Sequence, residues 1–264
     1  MKADDHIWLS LLEDACARFG TSHLDIIINQ SGCSASLLPS VKRIDPPLPC
    51  YSLFTGRPEE GLLDIAPLLV RVDLSQPLHT FWLRNMTQEF RKQSLLLALV
   101  SYWRFDDLGE HLSQCLEAVH AGRSCMIRFF DPRVFALLFS DVLPRDQQQR
   151  WLQPALLWSW LDLDGEPQRV IGTGTLMVGP ENLAPLAFDD GQADAFSCAS
   201  DAFAAMTGLG HALNPEWTRE QRFRACFVTM REASTAGLCT THEREGFLLE
   251  RLSTALLQLP KDRA

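Results

Sequence analysis

The chain lacks the short motifs that usually betray catalysis or metal binding. No Cys-x-x-Cys occurs, so a zinc ribbon or a thioredoxin-like redox pair is disfavoured. No Gly-x-Ser-x-Gly elbow is present around Ser31-Gly32-Cys33-Ser34, and His242-Glu243 has no second histidine after it at zinc-protease spacing. Gly172-x-Gly174 and Gly208-x-Gly210 are lone glycine pairs without the spacing of a phosphate-binding loop. Basic charge is also scarce: 24 Lys and Arg stand against 33 Asp and Glu, a net charge of -9. A general nucleic-acid binder needs a basic face to displace counterions, so the balance argues against that class, although it does not exclude a local basic patch. Long apolar runs are missing as well. Leu95 to Val100 is the longest candidate, far short of the ~20 residues of a membrane helix.

What is present fits an ordinary globular chain. Of its 264 residues 46% are apolar and 22% charged, enough for one large domain or two lobes with a sizeable core. The N-terminus, Met-Lys-Ala-Asp-Asp-His, is charged and leads into an amphipathic segment, not an apolar signal core. A cytoplasmic protein is therefore expected, with its eight cysteines reduced and mostly packed as small hydrophobes.

Periodicity predicts a helix over 7–19, with Trp8, Leu11, Leu12, Ala15 and Phe19 on one face and Gly20 as its stop. Ile26-Ile27-Ile28 reads as a strand. A short helix follows near Ser34 to Leu38, and Pro46, Pro47 and Pro49 force extended chain. Further strands are expected at 50–54, from Ala66, at 95–101 and at 125–130, with helices at 59–64, 77–90 and 105–119. This alternation predicts an α/β lobe built on a mostly parallel five-stranded sheet with flanking helices. Asp164-Gly165 marks a β-hairpin between 156–163 and 168–171. The expected division is an α/β lobe over 1–171, a Gly/Pro-rich linker over 172–187 and a smaller helical lobe over 188–264. The last helix of that lobe opens on the capping box Thr240-x-x-Glu243, buries Leu248, Leu249, Leu252, Leu256 and Leu259, and closes at Pro260.

The most informative stretch is Ser124 to Phe139. Cys125 to Phe130 is short, apolar and aromatic, as in a buried strand. Asp131 then offers a carboxylate to the free N–H groups of a new helix, and Pro132 occupies the first helical position, where its missing N–H costs nothing. Arg128 and Arg133 bracket that acid. Two readings stand side by side: an architectural cap with a paired arginine, or an arginine that faces a partner. Trp151, Trp158 and Trp160 cluster after it, and Trp158 and Trp160 share a face at period two. They are core residues, or a docking surface if that face is left uncovered. His111 and Cys115 stand at metal-ligand spacing on a predicted helix, near His120 and Cys125, yet they also fit its apolar stripe and polar flank. Asp162, Asp164 and Glu166 alternate as in calcium loops, but the glycine comes too early, and a solvated turn is favoured.

The segment Arg128-Phe129-Phe130-Asp131-Pro132-Arg133 resembles the signature of the adaptor-chaperones that load toxic effectors onto the type VI secretion spike of Gram-negative bacteria. Leu53-Phe54-x-Gly56, Ala66-Pro67-Leu68-Leu69-Val70 and Ser101 precede it in the order found in that family, over roughly residues 24 to 155. Asn29-Gln30-Ser31-Gly32 departs from the acidic turn usual after the first strand, and Ala66 replaces a glycine. The resemblance implies a non-enzymatic chaperone that binds a cognate effector toxin, stabilises it and delivers it to the valine-glycine-repeat spike or its tip protein. It implies no cofactor, no metal, no nucleic acid and no membrane insertion. Arg128, Phe130, Asp131, Pro132, Arg133, Trp151, Trp158 and Trp160 are the candidate motif or partner-binding residues. The alternatives are a hydrolase-like enzyme with a Cys/His or Asp site hidden by the spacing, and an immunity protein that occludes a toxin.

Overall fold

The run Leu24-Asp25-Ile26-Ile27-Ile28 is buried without interruption. That is the mark of a strand covered on both faces, and it lies inside the main sheet. The computed structural model describes residues 7–91, 93–176 and 182–257, with side chains as far as Arg251. The chain divides into two compact units, Met1–Ala187 and Phe188–Ala264.

In the first unit, helix α1 (Ile7–Phe19) is followed by β1 (His23–Ile28), a short α2 (Leu38–Lys42), β2 (Cys50–Ser52) and β3 (Leu68–Asp73). Then come α3 (Pro77–Phe90), β4 (Leu96–Val100), α4 (Phe105–Gln114), β5 (Glu117–His120) and β6 (Arg123–Met126). Helices α5 (Pro132–Leu137) and α6 (Arg145–Leu152) precede the hairpin β7 (Leu157–Leu161) and β8 (Pro167–Ile171), and β9 (Leu186–Phe188) comes last. Six strands form one sheet in the order β2-β3-β1-β4-β7-β8, and every neighbouring pair is antiparallel. A smaller sheet runs β6-β5-β9.

This corrects the expectation of a mostly parallel five-stranded sheet. Helix α3 does join two strands of the same direction, β3 and β4, as a helical crossover should. But β1 lies between them and runs against both. Local strand-helix rhythm carries the crossover and not the identity of the strand inserted within it. The expected strand over 125–130 is also corrected. Its first residues belong to β6, exposed and paired with β5 in the second sheet, and Ile127 to Phe130 leave the ladder. Likewise the helix expected to reach residue 119 stops at Gln114, and β5 takes the rest. The segment 59–64 forms turns, not a helix.

Two apolar layers cover the main sheet. On one face Leu24, Ile26, Ile28, Val70, Val72, Ala98, Val100 and Leu157 pack with Trp8, Leu12 and Cys16 of α1 and with Trp82, Leu83 and Met86 of α3. Trp8 Nε1 donates to Ser159 Oγ at 2.8 Å, tying α1 to β7. On the other face Asp25 of β1 meets Arg71 of β3 in a two-pronged pair, both bonds 2.7 Å. Arg71 also donates to the carbonyl of Trp103 and stacks over Phe105 at the start of α4. Burial pushes the Asp25 carboxyl up, and Arg71 pulls it back.

The second unit holds α7 (Asp190–Gly208), α8 (Arg219–Thr235) and α9 (Thr241–Leu257). All three open on reciprocal caps: Asp189 with Gln192, Thr218 with Gln221 and Thr240 with Glu243. Ala195, Cys198, Ala202 and Ala205 of α7 are small and buried, and so are Cys226 and Ala233 of α8. Phe203, Phe223 and Phe227 stack in series. Leu248 of α9 is buried, whereas Leu249 is partly exposed. The side chains of Leu252 and Leu256, and Leu259 and Pro260 altogether, lie outside the described residues. Among the described residues no helix is long and apolar enough to cross a membrane.

Removing one member of a buried ion pair strands the other. Arg71→Ala is expected to lower stability by about 3–5 kcal/mol, and the paired change Asp25→Val with Arg71→Leu to recover most of that loss, read from urea unfolding midpoints.

Candidate functional site

The candidate site grows from the end of β1. After three buried isoleucines the chain turns polar at Asn29-Gln30-Ser31, and Asn29 and Gln30 are still buried. A buried amide must find partners. Gln30 finds three: Nε2 donates to the carbonyls of Leu63 (3.2 Å) and Ala66 (2.6 Å), and Oε1 accepts from the N–H of Leu37 (2.8 Å). One side chain thus ties the start of α2 and the approach to β3 to the end of β1.

Asn29 reaches the signature. Its Nδ2 donates to Asp131 Oδ2 at 3.5 Å, across 102 residues of sequence. Asp131 is buried, and Oδ1 caps α5 by accepting from the Arg133 N–H at 3.0 Å. The Arg133 guanidinium closes on the same carboxylate, with Nε on Oδ1 at 2.9 Å and Nη2 on Oδ2 at 2.6 Å. That contact raises the already high pKa of Arg133. Arg128, like Arg133, is exposed. Its Nη2 donates to Ser31 Oγ at 3.0 Å, and Ser31 Oγ in turn donates to Asn29 Oδ1 at 2.7 Å. Arg128 also lies over the ring of Phe130. The two arginines and the acid are therefore joined through the β1 turn into one polar network.

Apolar contacts lock the same segment from beneath. Phe130 meets Phe54 edge-on, Phe129 packs on Trp151, and Phe135 of α5 packs on both Trp158 and Trp160. Trp151 and Trp158 are fully buried and Trp160 is 6% exposed. Trp158 Nε1 donates to the carbonyl of Trp151 at 2.7 Å. Trp158 and Trp160 do share a face, but α5 covers it, so the docking surface envisaged on those indoles is replaced by core. Pro132 is buried at the first position of α5.

Residues 26–150 match the family described as a domain of unknown function (DUF4123). The matched segment begins within β1 and ends in α6, so it encloses the whole Asn29–Asp131 network and the Leu53, Ala66 and Ser101 landmarks. No curated protein and no solved structure matches the chain.

The other candidate ligands are engaged elsewhere. His111 Nε2 and Cys115 Sγ both approach the carbonyl of Arg150, at 2.6 and 3.8 Å. Asp162 Oδ1 accepts from the N–H groups of Asp164 and Glu166, which makes that segment a hairpin turn. Among the described residues no group of three or more His, Cys, Asp or Glu side chains is placed to hold a metal. In the sequence the polar turn Asn29-Gln30-Ser31 stands out only as a departure from a pattern. Its signal was the abrupt change from three isoleucines to amides, and its partner 102 residues away was not legible.

Two outcomes are expected from these contacts. Asp131→Ala should cost about 2–3 kcal/mol, because it removes the cap and leaves Asn29 short of a partner, while Asp131→Asn, which keeps an N-cap acceptor, should cost about 1 kcal/mol, both read from denaturant midpoints. Burial pushes the thiols of Cys16 and Cys115 up to about 12 and that of Cys226 up to about 11, whereas Cys125 and Cys239 are exposed. Titration of the native protein with a thiol-reactive dye near neutral pH should label Cys125 and Cys239 first, and Cys16, Cys115 and Cys226 only after denaturation.

Proposed function

We propose that the chain is a non-enzymatic adaptor-chaperone that binds a cognate type VI secretion effector, stabilises it and loads it onto the spike or tip protein. The observation that carries this reading is the match over residues 26–150 together with the intact Arg128–Arg133 signature inside it. The geometry supports it in a second way. Asp131 is engaged by a cap, an ion pair and an amide contact, which supports an architectural role for its carboxylate. A joint held in this way suits a protein that holds another polypeptide. Arg128 and Arg133 are both exposed, and Arg128 is the one whose guanidinium is not bound to the Asp131 carboxylate; planar, weakly hydrated guanidinium groups are favoured at interfaces.

Co-expression with the product of the neighbouring effector gene tests the reading. The effector should co-elute with the full chain and resist aggregation when it is present. Arg128→Ala should weaken capture about tenfold with the unfolding midpoint nearly unchanged. A chain that neither retains nor stabilises that effector is not its adaptor.

A further inference from the structure

The main sheet ends in a strand that is held firmly and, among the described residues, left open on its outer side. In the β7–β8 hairpin, Trp158 stands opposite Val170 and Trp160 opposite Gln168. The bonds from Gly172 N–H to the Leu156 carbonyl and from Asp162 N–H to the Glu166 carbonyl fix the ladder's phase. In an antiparallel pair the bonded positions alternate. Gln168 and Val170 therefore face β7, and the backbone groups of Arg169 and Ile171 face outward. Strand β8 is last in the sheet order, and among the described residues no hydrogen bond reaches the outward side of Arg169 or Ile171.

Both ends of this edge are fixed. At the turn, Asp162 Oδ2 accepts from Gln168 Nε2 at 3.0 Å while Oδ1 holds two backbone N–H groups. After β8, Gly172, Thr173, Gly174 and Thr175 make successive backbone bonds to Leu156, Leu152, Ala155 and Gln153. The approach is close enough that a Cβ at Gly172 would fall 1.9 Å from the Ala155 carbonyl oxygen. Those bonds hold residues 172–175 against the end of α6 and the segment that leads into β7. The edge is thus already extended, and a pairing segment would order only itself.

The side chains narrow the occupant. Ile171 is 63% exposed, and Arg169 is exposed and forms no ion pair among the described residues. In two-fold antiparallel pairing centred on this strand, Arg169 would stand against its own copy, and like charges directly opposite are destabilising. Pro167 lacks an N–H and guards the turn end. These features oppose a second copy of the chain and leave a strand of different sequence as the fitting partner.

We propose that β8 accepts an extended segment of the effector as an added strand, with an acidic residue of that segment set against Arg169 and an apolar one against Ile171. This rests on the adaptor reading above and specifies its mode of grip. Main-chain bonds give such a contact its affinity and the alternate side chains its specificity.

The test uses the full chain co-expressed with the neighbouring effector. Hydrogen exchange should show the Arg169 and Ile171 amides slowed at least ~10-fold in the complex, since they become part of a ladder. Arg169→Pro, which removes the outward N–H at a position where an edge strand tolerates proline, should reduce capture at least ~10-fold, as should Arg169→Glu, while Arg169→Lys should stay within ~3-fold. The exchange measurement on the unaltered protein holds even if a variant folds poorly. If the effector co-elutes while both amides exchange at their free rate and Arg169→Pro captures normally, the edge-pairing inference is overturned and the adaptor reading stands. If the unaltered chain does not retain the effector, both fall together.

Discussion

The first unit is built around the buried carboxylate of Asp131, which Asn29 Nδ2 approaches to 3.5 Å. That contact joins the end of the central strand to the start of α5, two points separated by 102 residues. An unpaired carboxylate in a buried position is costly, so every oxygen of Asp131 has to be committed at once. One caps the helix and holds one prong of Arg133, and the other accepts the second prong and the Asn29 amide. This requirement fixes where α5 begins, and with it the ring of Phe135 over Trp158 and Trp160. The polar network and the aromatic layer beneath it are two sides of one joint.

A second buried charge does similar work farther along the same strand. Asp25 and Arg71 lie on the sheet face away from α1, and Arg71 carries the link onward to the Trp103 carbonyl and Phe105. An all-apolar pair would satisfy burial equally well, but it would not specify which residue of β3 stands opposite Asp25. Directional bonds suit a sheet in which β1 is inserted between β3 and β4 and could otherwise slip in register.

Rigidity in the centre contrasts with the outer margin. Strand β8 is ordered by its turn and by the bonds that follow it, yet its outward peptide groups meet no other strand among the described residues. For any strand added there, the ordering entropy of this side has already been met by folding. The family match and the signature direct attention to the joint. The edge offers a separate surface whose chemistry is that of a polypeptide backbone.

Much of this was legible in the residues, and the limit followed range. Asp131-Pro132 announced the start of α5, Asp164-Gly165 the hairpin, and Thr240 with Glu243 the cap of α9, because each signal acts within a few residues of its own position. The direction of neighbouring strands was not legible, since α3 delivers β4 parallel to β3 whether or not β1 lies between them. Nor could the indole pattern of Trp158 and Trp160 say whether a helix covers that face. The amides of Asn29 and Gln30 showed that partners were needed without naming them. The caps, the turns and the signature were written in neighbouring residues; strand order, the partner of Asp131 and the unpaired outer side of β8 among the described residues came from the fold, because they depend on contacts between residues far apart along the chain.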